Sequence, residues 1–154
     1  MASYSKTSQD RLKTCHQDLQ VLFHYVIQGF DNSILHGQRT PEYQFELFRK
    51  GRKKVNGIWV IHEKKKVVTY CDGYEKLSEH NKGPLSHAVD ATPYPINWTD
   101  MNTIRNFAGY VKGWADALKK YGDISHNIIW GGDWDDDDDF HDQTFMDLFH
   151  YEIR

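Results

Sequence analysis

One segment indicates both a strand of the fold and a candidate functional site: Ser78-Glu-His-Asn-Lys-Gly-Pro-Leu-Ser-His-Ala-Val-Asp90. It places His80 in a loop that contains Gly and Pro, and it then enters an apolar strand that ends at Asp90. Because a loop can fold back over the strand that follows it, these two side chains can face one point. Near the C-terminus, Asp147-Leu-Phe-His150 places a carboxylate three residues before a histidine, which one helical turn would bring side by side.

This mixture of side chains is the one that zinc prefers. Zinc binds imidazole nitrogen and carboxylate oxygen, and a catalytic site uses three protein ligands plus water. The ion lowers the pKa of its water toward about 7 and polarises a carbonyl. A free carboxylate beside a ligand can take the water's proton and pass it to a leaving amine. Spacing alone leaves a simpler alternative open, because a single histidine on a strand is more often a core or surface residue.

Three short motifs follow one another along the chain: Ser78-Glu-His80, Ala88-Val-Asp90 and Asp147-Leu-Phe-His150. In this order they resemble the VanY-like zinc metallopeptidases of bacteria and phages. These enzymes include D-alanyl-D-alanine carboxypeptidases and L-alanyl-D-glutamate endopeptidases. The resemblance covers the chain from about Ser8 to the C-terminus. The segments at 90–98, 130–134 and 142–147 are similar to those of the phage endolysin branch.

The resemblance implies a role for individual residues. It implies that His80, Asp90 and His150 hold zinc, and that Asp147 is the general base. Arg39 matches an arginine that stabilises negative charge on the tetrahedral intermediate, as a fixed guanidinium aimed at a developing oxyanion would.

Two further polar residues are candidates for substrate binding. Ser78 would hydrogen-bond substrate or support its loop, and Gln44 would contact substrate or hold Arg39.

The chain departs from the family pattern in two places. The segment from Asn81 to His87 is longer than usual and adds His87 as a second candidate ligand. We prefer His80, because it follows the Ser-x-His motif and because an odd separation on one strand would turn His87 and Asp90 to opposite faces. Phe149 stands where the family often has proline or a small apolar residue, which should alter packing rather than chemistry.

Apolar periodicity predicts the helices. An apolar stripe predicts a first helix from about Ser8 to Gln28, with Ser8 as its N-cap and Gly29 as its stop. A second long helix is predicted from about Asp100 to Tyr121, with its start capped by Thr99 or Asp100 and its end by Gly122. A shorter helix should follow Pro41. The residues of the first stripe are Leu12, Cys15, Leu19, Leu22 and Val26, and those of the second are Met101, Ile104, Phe107, Ala108, Val111, Ala115 and Leu118.

Short strands complete the expected fold. Helices mixed with strands but without regular alternation indicate an α+β protein. We expect one compact domain over residues 1–154, and the resemblance implies a small antiparallel sheet flanked by helices, as in hedgehog and D-Ala-D-Ala-peptidase folds. The first two predicted strands would form a hairpin through Glu63 to Lys66. The strands are Ile58–His62, Val67–Tyr70, His87–Thr92, Asn127–Trp130 and Phe149–Ile153.

Composition excludes several classes of protein. The net charge of -3 gives no global field for nucleic acid or an anionic membrane. Two cysteines, Cys15 and Cys71, have no ligand spacing; their spacing allows one disulfide, but two free thiols are the simpler interpretation. No stretch is long enough to span a membrane, and the polar N-terminus lacks a signal core. We therefore expect synthesis in a cytoplasm without stable membrane association. The resemblance to phage endolysins implies a host cytoplasm until release to the cell wall, and a monomer is the default for a diffusing wall hydrolase.

The acidic run from Asp133 to Asp139 is the most unusual feature of the composition. One interpretation is a solvated loop, and the other is a calcium site at Asp133, Asp135 and Asp137, because clustered carboxylates suit a hard cation. Trp98 and Trp134 would line a groove or belong to the core, and Glu152 would support a ligand. Six histidines have no ligand-like context and are interpreted as surface or structural residues: His16, His24, His36, His62, His126 and His141.

The sequence thus predicts a phage-type endolysin. It would be a zinc peptidase acting on bacterial peptidoglycan, with the L-Ala–D-Glu bond of the stem peptide as the expected target. A D-Ala-D-Ala carboxypeptidase or dipeptidase would use the same metal chemistry. A zinc-stabilised wall-binding module without catalysis is the alternative from another class, although it would need neither Asp147 nor Arg39.

Overall fold

The computed structural model describes residues 2–154, which form four α-helices, six strands and two short 3₁₀ turns. This α+β content confirms the predicted fold class. In chain order the elements are α1 Lys6–Leu12, α2 Gln17–Gly29, β1 Asn32–His36, α3 Pro41–Arg49, β2 Arg52–Val55, β3 Ile58–Ile61, a 3₁₀ turn Lys64–Lys66, a 3₁₀ turn Glu79–Asn81, β4 Ala88–Pro93, α4 Met101–Tyr121, β5 Ile128–Trp130 and β6 His150–Ile153.

The main sheet has four antiparallel strands in the order β1-β4-β6-β5. Its register places Asp90 of β4 opposite His36 of β1 on one side and opposite His150 of β6 on the other. All six residues of β4 are buried. The centre of the sheet therefore brings together three polar side chains from distant parts of the chain.

Helices α2 and α4 form the core with the sheet. The prediction for α4 is confirmed, since Asp100 caps its start by accepting a hydrogen bond from the Thr103 N–H. Gly122 ends it in the left-handed conformation with φ 83°, which glycine adopts without steric cost. The predicted apolar face is buried, except that Met101 is only half-buried.

The first predicted helix is in fact two helices, so the prediction of a single helix from Ser8 to Gln28 was wrong. The chain leaves the helical path after Leu12, because the backbone at Thr14 and His16 hydrogen-bonds to Ser86. Ser5 caps α1 in place of Ser8, the His16 ring caps α2, and Gly29 is the last residue of α2. The apolar stripe is buried in both helices because both pack on one core.

The predicted hairpin was wrong in its partner. Strand β3 pairs with β2, and the two are joined by Asn56-Gly57, whose φ angles of 49° and 83° suit a tight two-residue turn. The segment 67–70 is irregular. Strand β1 was not predicted. Pro41 begins α3 as predicted.

Candidate active site

The 3₁₀ turn at Glu79–Asn81 positions His80. Ser78 caps this turn by accepting a hydrogen bond from the His80 N–H at 3.1 Å, so its position matches the supporting role considered for it. The His80 side chain is buried, and its Nδ1 lies 2.7 Å from the carbonyl oxygen of Gly37. Because a carbonyl only accepts, His80 Nδ1 carries the proton, and the lone pair lies on Nε2.

The three residues expected to bind metal meet at one point. Asp90 Oδ1 lies 3.1 Å from His80 Nε2 and 3.2 Å from His150 Nδ1. One potential ligand atom from each residue lies within 4.8 Å of the others, and all three residues are buried. The structure therefore brings together His80, Asp90 and His150, although they are far apart in sequence.

Glu152 orients the His150 ring from its other side. His150 Nε2 donates to Glu152 Oε2 at 3.0 Å, and Glu152 Oε1 accepts from Arg154 Nε at 2.9 Å. This contact directs His150 Nδ1 toward Asp90. A carboxylate behind an imidazole is the usual outer partner of a ligating histidine.

Arg39 and Gln44 support the cluster from the other edge. Arg39 Nη2 donates to Asp90 Oδ2 at 2.6 Å, and Arg39 Nη1 lies 3.4 Å from Gln44 Oε1. Gln44 is fully buried and donates to Thr69 Oγ1 and to the Cys71 carbonyl. Of the two roles considered for Gln44, this geometry matches the one that holds Arg39.

Asp147 lies in the turn that precedes β6. Its N–H donates to the Gly131 carbonyl at 2.7 Å, and its own carbonyl accepts from the His150 N–H at 3.1 Å. Burial raises the pKa of the Asp147 carboxyl, and the nearby negative charge of Asp90 adds to this effect. A carboxyl with a raised pKa is a better proton acceptor, which suits a general base.

A cleft of about 630 Å³ opens over these residues. Its floor carries His80, Asp90 and His150, and Asp147 and Arg39 also line it. Trp98 packs edge-to-face on Phe149, with ring centroids 5.3 Å apart, and Trp134 lies 5.5 Å from the His150 ring. Both tryptophans line the cleft, which was one of the two alternatives considered for them.

The electrostatics of the cluster fit a bound cation. Burial lowers the pKa of His80, so this ring is neutral, and its Nε2 lone pair faces the Asp90 carboxylate. Burial opposes ionisation of Asp90, but hydrogen bonds from His150 and His36 help to hold the Asp90 pKa well below its usual range. Two acceptors 3.1 Å apart repel each other unless a positive charge lies between or beside them.

His150 supplies part of that positive charge. Burial lowers its pKa, but the hydrogen bonds to Asp90 and Glu152 outweigh this effect and raise the His150 pKa to about 9. A divalent cation at the same point would displace this proton, which is the ordinary competition between protons and metals for a ligand. The residues present therefore fit a metal of the kind that imidazole and carboxylate hold.

Two of the remaining histidines bear on the site. His36, interpreted from the sequence as a surface or structural residue, is 43% exposed, and its Nδ1 lies 3.4 Å from Asp90 Oδ2. The signal was hidden because it depends on the pairing of β1 with β4. His87, the second candidate ligand, lies instead beside Glu79, with His87 Nδ1 3.8 Å from a carboxylate oxygen.

The acidic loop forms a separate group. One carboxylate oxygen from each of Asp133, Asp135 and Asp137 lies within 4.8 Å of the others. Asp133 is buried and accepts hydrogen bonds from the N–H groups of Asp137 and Asp138. Asp135 and Asp137 are exposed.

The fold and the cluster together fit one class of protein, a hydrolase with a His–Asp–His group and a half-buried carboxylate, Asp147, in an open cleft. The family model of the phage L-alanyl-D-glutamate peptidases matches residues 1–153. The chain therefore belongs to this family, and it is an endolysin-type peptidase that cleaves peptidoglycan.

A solved structure supports the fold. The chain is similar to the crystal structure of the Serratia marcescens L-Ala D-Glu endopeptidase ChiX, with a TM-score of 0.64 and 19% identity. The match covers 99% of this chain and 90% of that one. A search of curated protein sequences gives no significant match. Among residues 2–154, no helix has both the length and the apolar character needed to cross a membrane.

Proposed function

We propose that the chain is a zinc-dependent L-alanyl-D-glutamate endopeptidase in which His80, Asp90 and His150 hold the metal. The observation that carries this proposal is the meeting of His80 Nε2, Asp90 Oδ1 and His150 Nδ1 at one point. The outer contacts to Gly37 and Glu152 aim both imidazoles at that point. Nitrogen and carboxylate donors in a three-residue set favour zinc among the common metals.

When bound, zinc would supply an activated water and polarise the scissile carbonyl. Asp147 would take a proton from the attacking water on its carboxylate and deliver it to the leaving amine. Its raised pKa helps it to hold the proton between these two transfers. Arg39 would steady negative charge on the substrate oxygen. Its Nη2 donates to Asp90 Oδ2 at 2.6 Å, which fixes the guanidinium at the cleft.

The cleft also suits a peptide attached to a glycan. Trp98 is exposed by 55% and stands at the rim of the cleft, where an aromatic face can contact sugar or peptide. The family assignment favours the bond between L-Ala and D-Glu. A carboxypeptidase acting on D-Ala-D-Ala would use the same His80, Asp90 and His150 cluster, so the product identifies the reaction.

The test is digestion of isolated Gram-negative peptidoglycan, with mass spectrometry of the new termini. New L-Ala carboxyl and D-Glu amino termini, lost with chelator and restored by zinc, are expected. Release of free D-Ala would move the function to a carboxypeptidase. Absence of any cleavage by protein that holds one zinc at His80, Asp90 and His150 would favour a wall-binding module and contradict the proposal.

Asp147→Asn separates catalysis from metal binding. It keeps the size of the side chain and removes its basicity, so turnover should fall by at least about 100-fold while zinc stays bound. Asp116→Asn, on the exposed face of α4, is the matched control and should keep full activity. Equal activity of Asp147→Asn and wild type would exclude Asp147 as the base.

Three further properties belong to the same proposal. The protein would be made in the host cytoplasm, would reach the wall only after release, and would act as a monomer without stable membrane association. Size-exclusion chromatography tests the oligomeric state.

A calcium site at Asp133, Asp135 and Asp137 is part of the same proposal. A calcium-dependent rise in Tm that Asp135→Asn abolishes would support this site, and a Tm that does not change with calcium would contradict it.

A further inference from the structure

A second group of potential metal ligands lies at the start of α2, outside the residues that line the cleft. It consists of His16, Asp18 and His126, and one ligand atom from each lies within 4.8 Å of the others. The three come from the N-terminal end of α2 and from the segment that precedes β5. Sequence patterns gave no hint of the group, because His126 is 108 residues from Asp18.

The two oxygens of Asp18 have different surroundings. Oδ2 accepts hydrogen bonds from the Ser125 N–H at 2.9 Å, the His126 N–H at 2.9 Å and the His126 Nδ1 at 2.8 Å. Oδ1 faces His16 Nδ1 at 3.9 Å, which is too long for a hydrogen bond. One oxygen therefore anchors the fold, while the other faces an imidazole and remains free to bind an ion.

The two imidazoles border the same carboxylate. His16 Nδ1 accepts the Asp18 N–H at 3.2 Å as the cap of α2, so this nitrogen carries a lone pair, and an ion bound there would replace the capping hydrogen bond. The His16 and His126 rings cross at 80° with centroids 4.9 Å apart, which places both beside Asp18. Their side chains are 30% and 39% exposed, so an ion can enter and water can complete its coordination.

We propose that His16, Asp18 and His126 form a second site for zinc or a similar divalent transition-metal ion. Two nitrogens and one carboxylate oxygen are a donor set that such ions accept, with water at the open position. Binding replaces the proton that His126 Nδ1 donates to Asp18. The ion joins the start of α2 to the segment before β5 and stabilises the folded state by mass action. The proposal does not depend on the reaction in the cleft.

The experiment is equilibrium dialysis of the intact protein against Zn²⁺, with metal content measured by mass spectrometry. Wild type is expected to hold two zinc ions per chain, and His16→Ala and His126→Ala one each, with peptidoglycan cleavage retained. His62→Ala is the matched control, since His62 is exposed just after β3, and it should hold two. Zinc should raise the Tm of the control by roughly 5 °C more than that of His126→Ala.

Two results would overturn the second site. One is a wild-type protein that binds zinc only at the cleft, shown by complete loss of metal in His80→Ala. The other is an undiminished zinc content in the double variant His16→Ala/His126→Ala. A His80→Ala protein that still holds one ion supports the second site whatever happens to catalysis, so failure of the proposed enzyme function is distinguishable from failure of this proposal.

Discussion

Substitution of Gly131 tests whether the backbone around Asp147 must hold this side chain in place for the enzyme to turn over. Gly131 follows β5 directly, and its carbonyl accepts the Asp147 N–H while its own N–H donates to the His150 carbonyl. A methyl group at this position would lie 3.1 Å from the Asp147 carbonyl carbon and would overlap the attached oxygen. The substitution Gly131→Ala therefore pushes directly on the turn that carries the proposed base.

The size of the effect follows from these contacts. Carbon atoms rest about 3.5–4.0 Å apart, so the Asp147 turn must move by on the order of 1 Å. A misplacement of about 1 Å in a catalytic group costs about 100-fold in rate, or about 2.7 kcal/mol in activation free energy. We expect Gly131→Ala to lower kcat/KM by this factor on a defined muropeptide, and overpacking to lower its stability by about 1–3 kcal/mol.

The assay needs a control for replacing a glycine. Gly113 lies on the exposed side of α4, and a methyl group there would meet nothing within 4 Å. Gly113→Ala should keep full activity and gain about 1 kcal/mol in the free energy of unfolding, because alanine favours the helix. If folded Gly131→Ala kept kcat/KM to within about twofold of wild type, the argument that this turn positions Asp147 would be wrong.

Three further predictions concern charge. Glu152→Gln removes the carboxylate behind His150 and should weaken zinc binding about 10–100-fold in a competition titration; unchanged affinity would contradict the role of this contact. Because the pKa of Asp147 is raised above its usual value and the base must be ionised, kcat/KM should fall as pH decreases through that raised pKa, and the acidic limb should vanish in Asp147→Asn. Burial opposes ionisation of Asp18, but hydrogen bonds from His126 and Ser125 outweigh it and lower its pKa to about 2. Asp18→Asn should therefore cost about 2 kcal/mol of unfolding free energy above pH 3.8, measured by denaturant titration in chelator, and the deficit should disappear as pH falls through 2.

Local signals in the sequence predicted those parts of the fold that depend on neighbouring residues. Helix α4 repeats its apolar side chains in phase and has clear caps, so its bounds followed directly. The break between α1 and α2 did not, because it arises from hydrogen bonds to Ser86, far along the chain. Asn56-Gly57 is a strong hairpin signal that the basic residues around it obscured, since a run of lysines looks like a solvated loop.

The candidate site shows the same division. The Ser-x-His, Ala-x-Asp and Asp-x-x-His motifs are local, and they named the residues that meet in the structure. His36 and the pair of His16 with His126 belong to no motif, since each acquires its partner only when distant segments pack together. Motifs therefore predict the residues that the reaction itself requires. Contacts that support them, and the separate cluster of His16 and His126, depend on tertiary structure and leave no local pattern in the sequence.

Asp90 links the register of the sheet to the chemistry. It lies opposite His36 of β1 and His150 of β6 in the two neighbouring strands, and its side chain contacts Arg39 and His80. A slip of one residue between β4 and β6 would turn Asp90 to the opposite face and leave the other four groups without their common partner. All six residues of β4 are buried, so Asp90 would remain buried after such a slip but would lack these polar partners. The residues that fix the register thus also fix the position of the candidate metal ligands, because Asp90 is at once a central strand residue and the centre of the site.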